Sequence, residues 1–195
     1  TRRTVSGRES STPFATASGS RSSERVPRCS MRSRAQKSPP IVAFSSSGRK
    51  DTQANIEATG EFVVNLTARE LAEAVSISSA AVPAGHDEFL LAGLESLPCT
   101  LVKPQRVARS PAALECRLLQ FVPLSDLDGA RTTCTLIVGQ VVAVHLNTAF
   151  LRDGRFDMTL AKTLARCGYG GDYIEASSLF EVVRPPAGTL GPVRS

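Results

Sequence analysis

The sequence predicts a mainly β protein with helical insertions, built as an antiparallel barrel. Three observations carry this. Aliphatic and β-branched runs fill residues 101–108, 113–123 and 132–146. Turn chemistry, as in Asp153-Gly154, separates extended segments. The helices that a parallel sheet needs after nearly every strand are missing.

In chain order, Pro40-Ile41-Val42-Ala43-Phe44 reads as a buried strand entered through two prolines. Asp51 or Thr52 caps a helix through about Thr59, and Gly60 supplies its stop. Glu61 to Leu66 is a strand, and Thr67 with Glu70 forms a capping box for a helix through about Val75. Asp87 to Leu91 is a helical turn ended by Gly93, with Asp87 and Glu88 at its start. Leu101 to Ala108, Ala113 to Pro123 and Thr132 to Leu146 are the main strands. In the second, Leu114, Cys116 and Leu118 alternate with Glu115 and Arg117, the period of a half-buried strand. Gly139 marks a bend or bulge in the third. Met158 to Ala165 reads as a helix, Gly168 to Gly171 as a flexible connection, and the chain beyond Pro185 as a frayed end.

The charge is divided. Residues 1–40 hold nine Lys/Arg against two acids, whereas residues 41–195 hold fourteen bases and sixteen acids. The basic character therefore belongs to the N-terminal segment, and the globular part offers no charge argument for nucleic acid. Phe14 is the one aromatic in that segment, so base stacking has no support there. The five cysteines, Cys29, Cys99, Cys116, Cys134 and Cys167, are odd in number and form no CxxC pair. That disfavours a disulfide scaffold and a zinc site, and makes a reducing cytoplasm the expected compartment. No apolar run approaches the roughly 18 residues of a membrane span.

Chemistry is concentrated in "SSSGRKDT", residues 45–52, between the first strand and its helix. Amides at a helix start point outward unpaired, and with the helix dipole they favour an anion. Ser45, Ser46, Ser47 and Thr52 carry hydroxyls, while Arg49 and Lys50 carry charge. Asp51 opposes an anion unless its carboxylate caps the helix. The Walker A spacing is absent, and a solvated turn with a helix cap explains the composition as well.

Residues 39–184 resemble the flavin reductase-like family, FMN-binding split barrels close to flavoredoxin. The resemblance rests on "PPIVAFSSSGRKDTQANIEATGEFVVNL", "HDEFLLAGL", "VARSPAALEC", "GQVVAVHLN", "RDGRFD" and "LARCGYGGDY" followed by "RP", in that order. It implies an FMN-binding split β-barrel and a homodimer with FMN near the subunit interface. For the site it implies phosphate contacts from Ser45, Ser46, Lys50 and Thr52, with Asp51 bracing the loop. Arg166 and Tyr169 would approach the flavin, and Tyr173 could stack on it. A surface arginine and edge aromatics remain the competing reading. His145 reads as a satisfied structural histidine, His86 as a surface one, and Cys167 as an inert thiol.

The resemblance breaks before the two prolines. Relatives open with a further strand pair, whose place is taken here by a Ser/Arg-rich segment, residues 1–38. Disorder, a targeting segment and a shifted reading frame are the three expectations for it. Residues 39–185 form the expected domain and 186–195 a flexible tail. The functional expectation is an FMN-binding oxidoreductase of flavin reductase type, cytoplasmic and dimeric, taking hydride from NAD(P)H and passing electrons to an acceptor. The alternatives are an FMN-binding electron carrier without its own nicotinamide site, and a defective chain lacking its first strands. No membrane and no nucleic acid are expected as partners.

Overall fold

A computed structural model describes residues 38–186 apart from Ala81 and Ala84. Nearly all of the Ser/Arg-rich segment, and the chain beyond Pro186, lie outside the described residues, so the expectations for both ends fall there.

The first strand, β1 (Ile41–Ser47), leads through a short loop into α1 (Asp51–Thr59) and β2 (Glu61–Asn65). A 3-10 turn and α2 (Ala72–Ser78) follow, then α3 (Glu88–Leu91) and the short strands β3 (Ser96–Leu97) and β4 (Arg106–Val107). Two long strands, β5 (Ala112–Ser125) and β6 (Arg131–Leu146), dominate the fold. The chain ends in two ribbons, β7 (Leu151–Arg152) with β8 (Arg155–Phe156), and β9 (Leu164–Arg166) with β10 (Tyr173–Glu175). The main sheet is antiparallel in the order β1-β6-β5-β2.

The sheet curls. Its outermost strands are β1 and β2, yet Phe44 and Phe62 meet edge to face with ring centroids 5.6 Å apart. Across a flat sheet three strand spacings of about 4.8 Å would separate those strands. Phe62 can reach over β5 because β6 carries Gly139, where a Cβ would sit 2.4 Å from the ring. Ile56 of α1 closes this side, packing with Phe62, Cys116, Ile137 and Val141 into the buried core.

Several sequence expectations need correction. The serine run is strand rather than loop: Ser45, Ser46 and Ser47 pair with Leu136, Thr135 and Cys134 of β6. The irregularity near Gly139 lies on β5, where the register skips Leu119, and Gly139 itself serves the Phe62 contact. The Thr67/Glu70 capping box does not form. Thr67 is held extended, its carbonyl accepting from the Leu164 amide and its neighbour Ala68 bridged to Thr163, so the helical turn begins at Arg69.

Residues 101–108 are mostly not strand, because their amides bond to side chains instead of a ladder. Leu101 and Val102 donate to Glu115, Lys103 to Glu61 and Val107 to Asn65. Met158 to Ala165 is a turn followed by strand. The Asp157 carboxylate takes the Thr159 and Leu160 amides, and Lys162 at φ 49° ends the turn. The Asp153-Gly154 turn is as expected, with positive φ at both residues joining β7 to β8.

Replacing Gly139 by alanine should destabilise the chain by about 1–3 kcal/mol, because a methyl group cannot share the Phe62 ring's space. The urea midpoint measures this. An unchanged midpoint would mean that the ring is free to move aside.

Candidate functional site

The candidate loop is built by the end of β1 and the start of α1. Gly48, at φ 75°, turns the chain out of the sheet while its amide donates to the Thr133 carbonyl. The Lys50 amide donates back to the Gly48 carbonyl, which sets the helix start at Asp51. Lys50 is therefore the capping residue, and no side chain caps the helix. The expected cap from Asp51 or Thr52 is corrected here: both are first-turn residues, and the Asp51 carboxylate sits exposed at the positive end of the dipole. The first-turn amides of Asp51, Thr52 and Gln53 have no helical acceptor.

Strand geometry separates the serines. Ser46 shares the face of Val42 and Phe44, the side on which α1 packs, and its hydroxyl donates to the Gly48 carbonyl at 3.1 Å. Ser45 projects from the opposite, exposed face. Arg49 does not point into the loop: its guanidinium makes a two-pronged contact with Glu57, at 2.7 and 3.2 Å. Gln53 first and Arg49 second hold the Glu57 carboxyl below its ordinary value. Lys50 and Thr52 are left exposed, without side-chain partners among the described residues. They line a cavity of about 450 Å³ with Asp51, Ser78, Ser79 and Glu88.

Arg166 and Tyr169 belong to the β9–β10 ribbon, a separate sheet from the β1–α1 loop. Arg166 donates to the Tyr173 hydroxyl at 3.2 Å and lies over that ring, 5.5 Å from its centroid. Tyr169, in the hairpin loop, is 80% exposed. His86 is a surface residue with a ring nitrogen 2.9 Å from the Pro83 carbonyl.

Sequence reasoning missed Glu115. Alternation places it outward, yet it is fully buried. One carboxylate oxygen takes the Thr100 amide at 2.7 Å, the other takes those of Leu101 and Val102, and His145 closes the set through its Nε2. His145 stands two residues from Ala143, the β6 partner of Glu115, so both share a face. Burial works to raise the Glu115 pKa. The Thr100 amide, the His145 ring and the Leu101 amide together outweigh it and leave the carboxyl below its ordinary 4.5. The available signal was an acid and a histidine placed within two paired apolar strands.

Cys99 completes a Cys/Glu/His trio whose ligand-type atoms lie within 4.8 Å of one another. Burial, and next the Glu115 charge, push the Cys99 thiol up, which keeps it protonated. With three amides and an imidazole already on the carboxylate, the trio is a hydrogen-bonded anchor for the 99–103 loop. Cys116, buried in the core, is pushed up to about 11.

Comparison with known proteins gives one consistent result. Residues 11–158 match the family described as "Flavin reductase like domain", a match that begins inside the Ser/Arg-rich segment. An uncharacterized Deinococcus radiodurans protein is 33% identical over 154 residues, a match covering 75% of this chain and 65% of that one. An Aquifex aeolicus protein is 35% identical over 69% of this chain and 67% of its own length. Among solved structures, nitrilotriacetate monooxygenase component B from Bacillus cereus superposes with a TM-score of 0.67 at 28% identity, over 74% of this chain and 72% of that one. A flavin reductase with a split barrel domain from Shewanella frigidimarina, described as putative, gives 0.66 at 22% identity, over 75% and 72%, a likeness of fold alone.

The Glu115 anchor has a measurable pH signature. Its folded-state pKa lies below that of the unfolded chain, so its contribution is complete above pH 4.5 and is lost as pH falls through the lowered folded value. Glu115→Gln should cost about 2–4 kcal/mol at neutral pH by leaving buried amides poorly matched. It should also flatten the acid limb of the urea midpoint plotted against pH. An unchanged acid limb would assign that limb to other carboxylates.

Proposed function

Since this chain belongs to the flavin reductase-like domain family and has its split-barrel fold, we propose that it is an FMN-binding oxidoreductase that takes hydride from NAD(P)H and passes electrons on to an acceptor. The single observation that carries the reading is the start of α1. The unpaired first-turn amides of α1 adjoin a cavity lined by the exposed Lys50 and Thr52, and by Asp51 and Glu88, and the amides, ammonium and hydroxyl are a donor set suited to a phosphate monoester.

The donor chemistry of this loop fits the phosphate of FMN. Lys50 and Thr52 would contact it directly, and the Ser46 hydroxyl lies on the same side of β1. Ser45, on the other face, would reach only a different part of the same molecule. Asp51 would brace the helix start only through its charge at the positive end of the dipole, not by touching an anion. When bound, FMN supplies the two-electron chemistry, so the chain needs no acid–base pair of its own. What this chain supplies is a fixed phosphate anchor and a curled apolar sheet behind it. From the β9–β10 ribbon come Arg166 and Tyr169, offered for the ring end of the cofactor. The reading includes a homodimer in a reducing cytoplasm. Nitrilotriacetate monooxygenase component B, by its name one part of a multicomponent oxygenase, supports a partner oxidoreductase as the electron acceptor.

The test is direct. The chain, incubated with FMN and desalted, should keep flavin absorbance near one equivalent per subunit and oxidise NAD(P)H when free flavin is added. Lys50→Ala and Thr52→Ala should each weaken FMN binding about tenfold, the ~1.4 kcal/mol of one charge-assisted hydrogen bond, with the circular dichroism spectrum unchanged. Retained flavin without NAD(P)H oxidation would favour an electron carrier. A folded chain that takes up no flavin would overturn the proposal.

A further inference from the structure

The Glu115 anchor has donor chemistry that hydrogen bonding alone does not use. Cys99, Glu115 and His145 bring together a thiol sulfur, a carboxylate oxygen and an imidazole nitrogen, all within 4.8 Å of one another. They come from three separate places: the turn before residues 100–103, β5 and β6. Cysteine spacing, which argued against a zinc site, is silent on donors assembled this way. The mixed set suits zinc, whereas calcium and magnesium prefer oxygen alone. Cys99 and His145 are half-buried, so solvent reaches two of the donors, while Glu115 is fully buried.

We propose that Cys99, Glu115 and His145 bind one zinc ion, which staples the 99–103 loop to β5 and β6. The site shares no residue with the flavin reading and stands apart from it. The carboxylate takes the ion without giving up its amides. Its Oε1 accepts from the Thr100 amide and from His145 Nε2, and its Oε2 accepts from Leu101 and Val102. The ion takes the one lone pair that the ring now uses, and the three amides stay as the outer shell that orients the ligand. Burial first, and then the Glu115 charge, hold the Cys99 thiol protonated, while Arg106 acts against them. Beside a dication that balance turns, and the thiol proton leaves to solvent. The imidazole binds through its Nε2 lone pair and carries its proton on Nδ1. One thiolate and one carboxylate then cancel the charge of the zinc, so no net charge is buried. Zinc–ligand bonds of about 2.0–2.3 Å set tetrahedral donors roughly 3.3–3.8 Å apart, so closing from 4.8 Å asks for side-chain shifts of about an ångström. The His145–Glu115 contact opens to admit the ion, and water fills the fourth position.

Zinc and cobalt ions alone are the probes, added to the reduced full chain without a histidine tag. Cobalt should give a thiolate-to-metal charge-transfer band that saturates at one equivalent, and zinc should abolish it by competition. Zinc should also raise the urea midpoint, because an ion that binds only the folded chain stabilises it. Cys99→Ser should lose the band and the midpoint rise together. It should weaken zinc binding by more than the roughly 10–100-fold that losing an outer-shell partner costs. Serine keeps a hydroxyl beside Glu115, so the circular dichroism spectrum should not change. His145→Gln, which keeps an N–H donor for Glu115, should also abolish the midpoint rise; where it fails to fold, Cys99→Ser decides alone. Cys134→Ser and Cys167→Ser should bind zinc as the parent chain does. A chain that takes up no zinc, uptake that survives Cys99→Ser, or a midpoint indifferent to zinc would each overturn the site.

Discussion

The buried Glu115 carboxylate is the constraint on which the rest of the structure leans. It sits on β5, at the middle of the main sheet, yet its four contacts belong to other parts of the chain. Three are amides of residues 100–102, and the fourth is His145 on β6. A buried carboxylate without donors would be far too costly, and loop amides without acceptors nearly so. Each makes the other tolerable. Neighbouring side chains extend the arrangement. Glu61 takes the Lys103 amide, Asn65 takes the Val107 amide, and Arg117 donates to the Leu101 carbonyl. The outer face of β2 and β5 is thus covered by a segment held through side-chain-to-backbone bonds, with Val102 buried as well.

With that face covered, the opposite face can be given wholly to the core, and its curl follows. Phe62 needs room above Gly139 and a partner in Phe44, which draws the sheet's two outer strands toward each other without closing it. The curl carries β1 to the point where Gly48 turns off the sheet and α1 begins. Ile56, buried in the same core, fixes the helix that follows. The geometry of the candidate anion loop is therefore set from both ends by the hydrophobic core, and the exposed loop residues need no contacts of their own to hold it.

Much of this was legible in the sequence. The two long strands, the helix after the serine run with Gly60 as its stop, and the Asp153-Gly154 turn follow from periodicity and turn chemistry that tertiary context does not override. Three of the failures share one cause. Glu115, residues 101–108 and the Thr67 box were misread because the Glu115 carboxylate and the backbone groups of the other two bond to partners far along the chain, and local pattern is blind to such partners. Met158 to Ala165 failed by a local competitor, the Asp157 carboxylate, which takes the amides that a helix start would leave free. The serines were misjudged by composition: three in a row suggest a loop, but the ladder with β6 is indifferent to small polar side chains at a sheet edge.

The Arg49–Glu57 contact bears on what kind of anion the loop can tell apart. A guanidinium reads shape, offering two parallel donors to a planar or tetrahedral oxyanion, whereas an ammonium reads charge from any direction. This chain places both cations side by side and then ties the shape-reading one to a glutamate on the next turns of α1. What remains at the mouth is the unselective one. For the phosphate proposed above, discrimination among phosphorylated molecules would rest on the directional amides of α1 and on whatever grips the remainder of the ligand, not on the shape of a guanidinium.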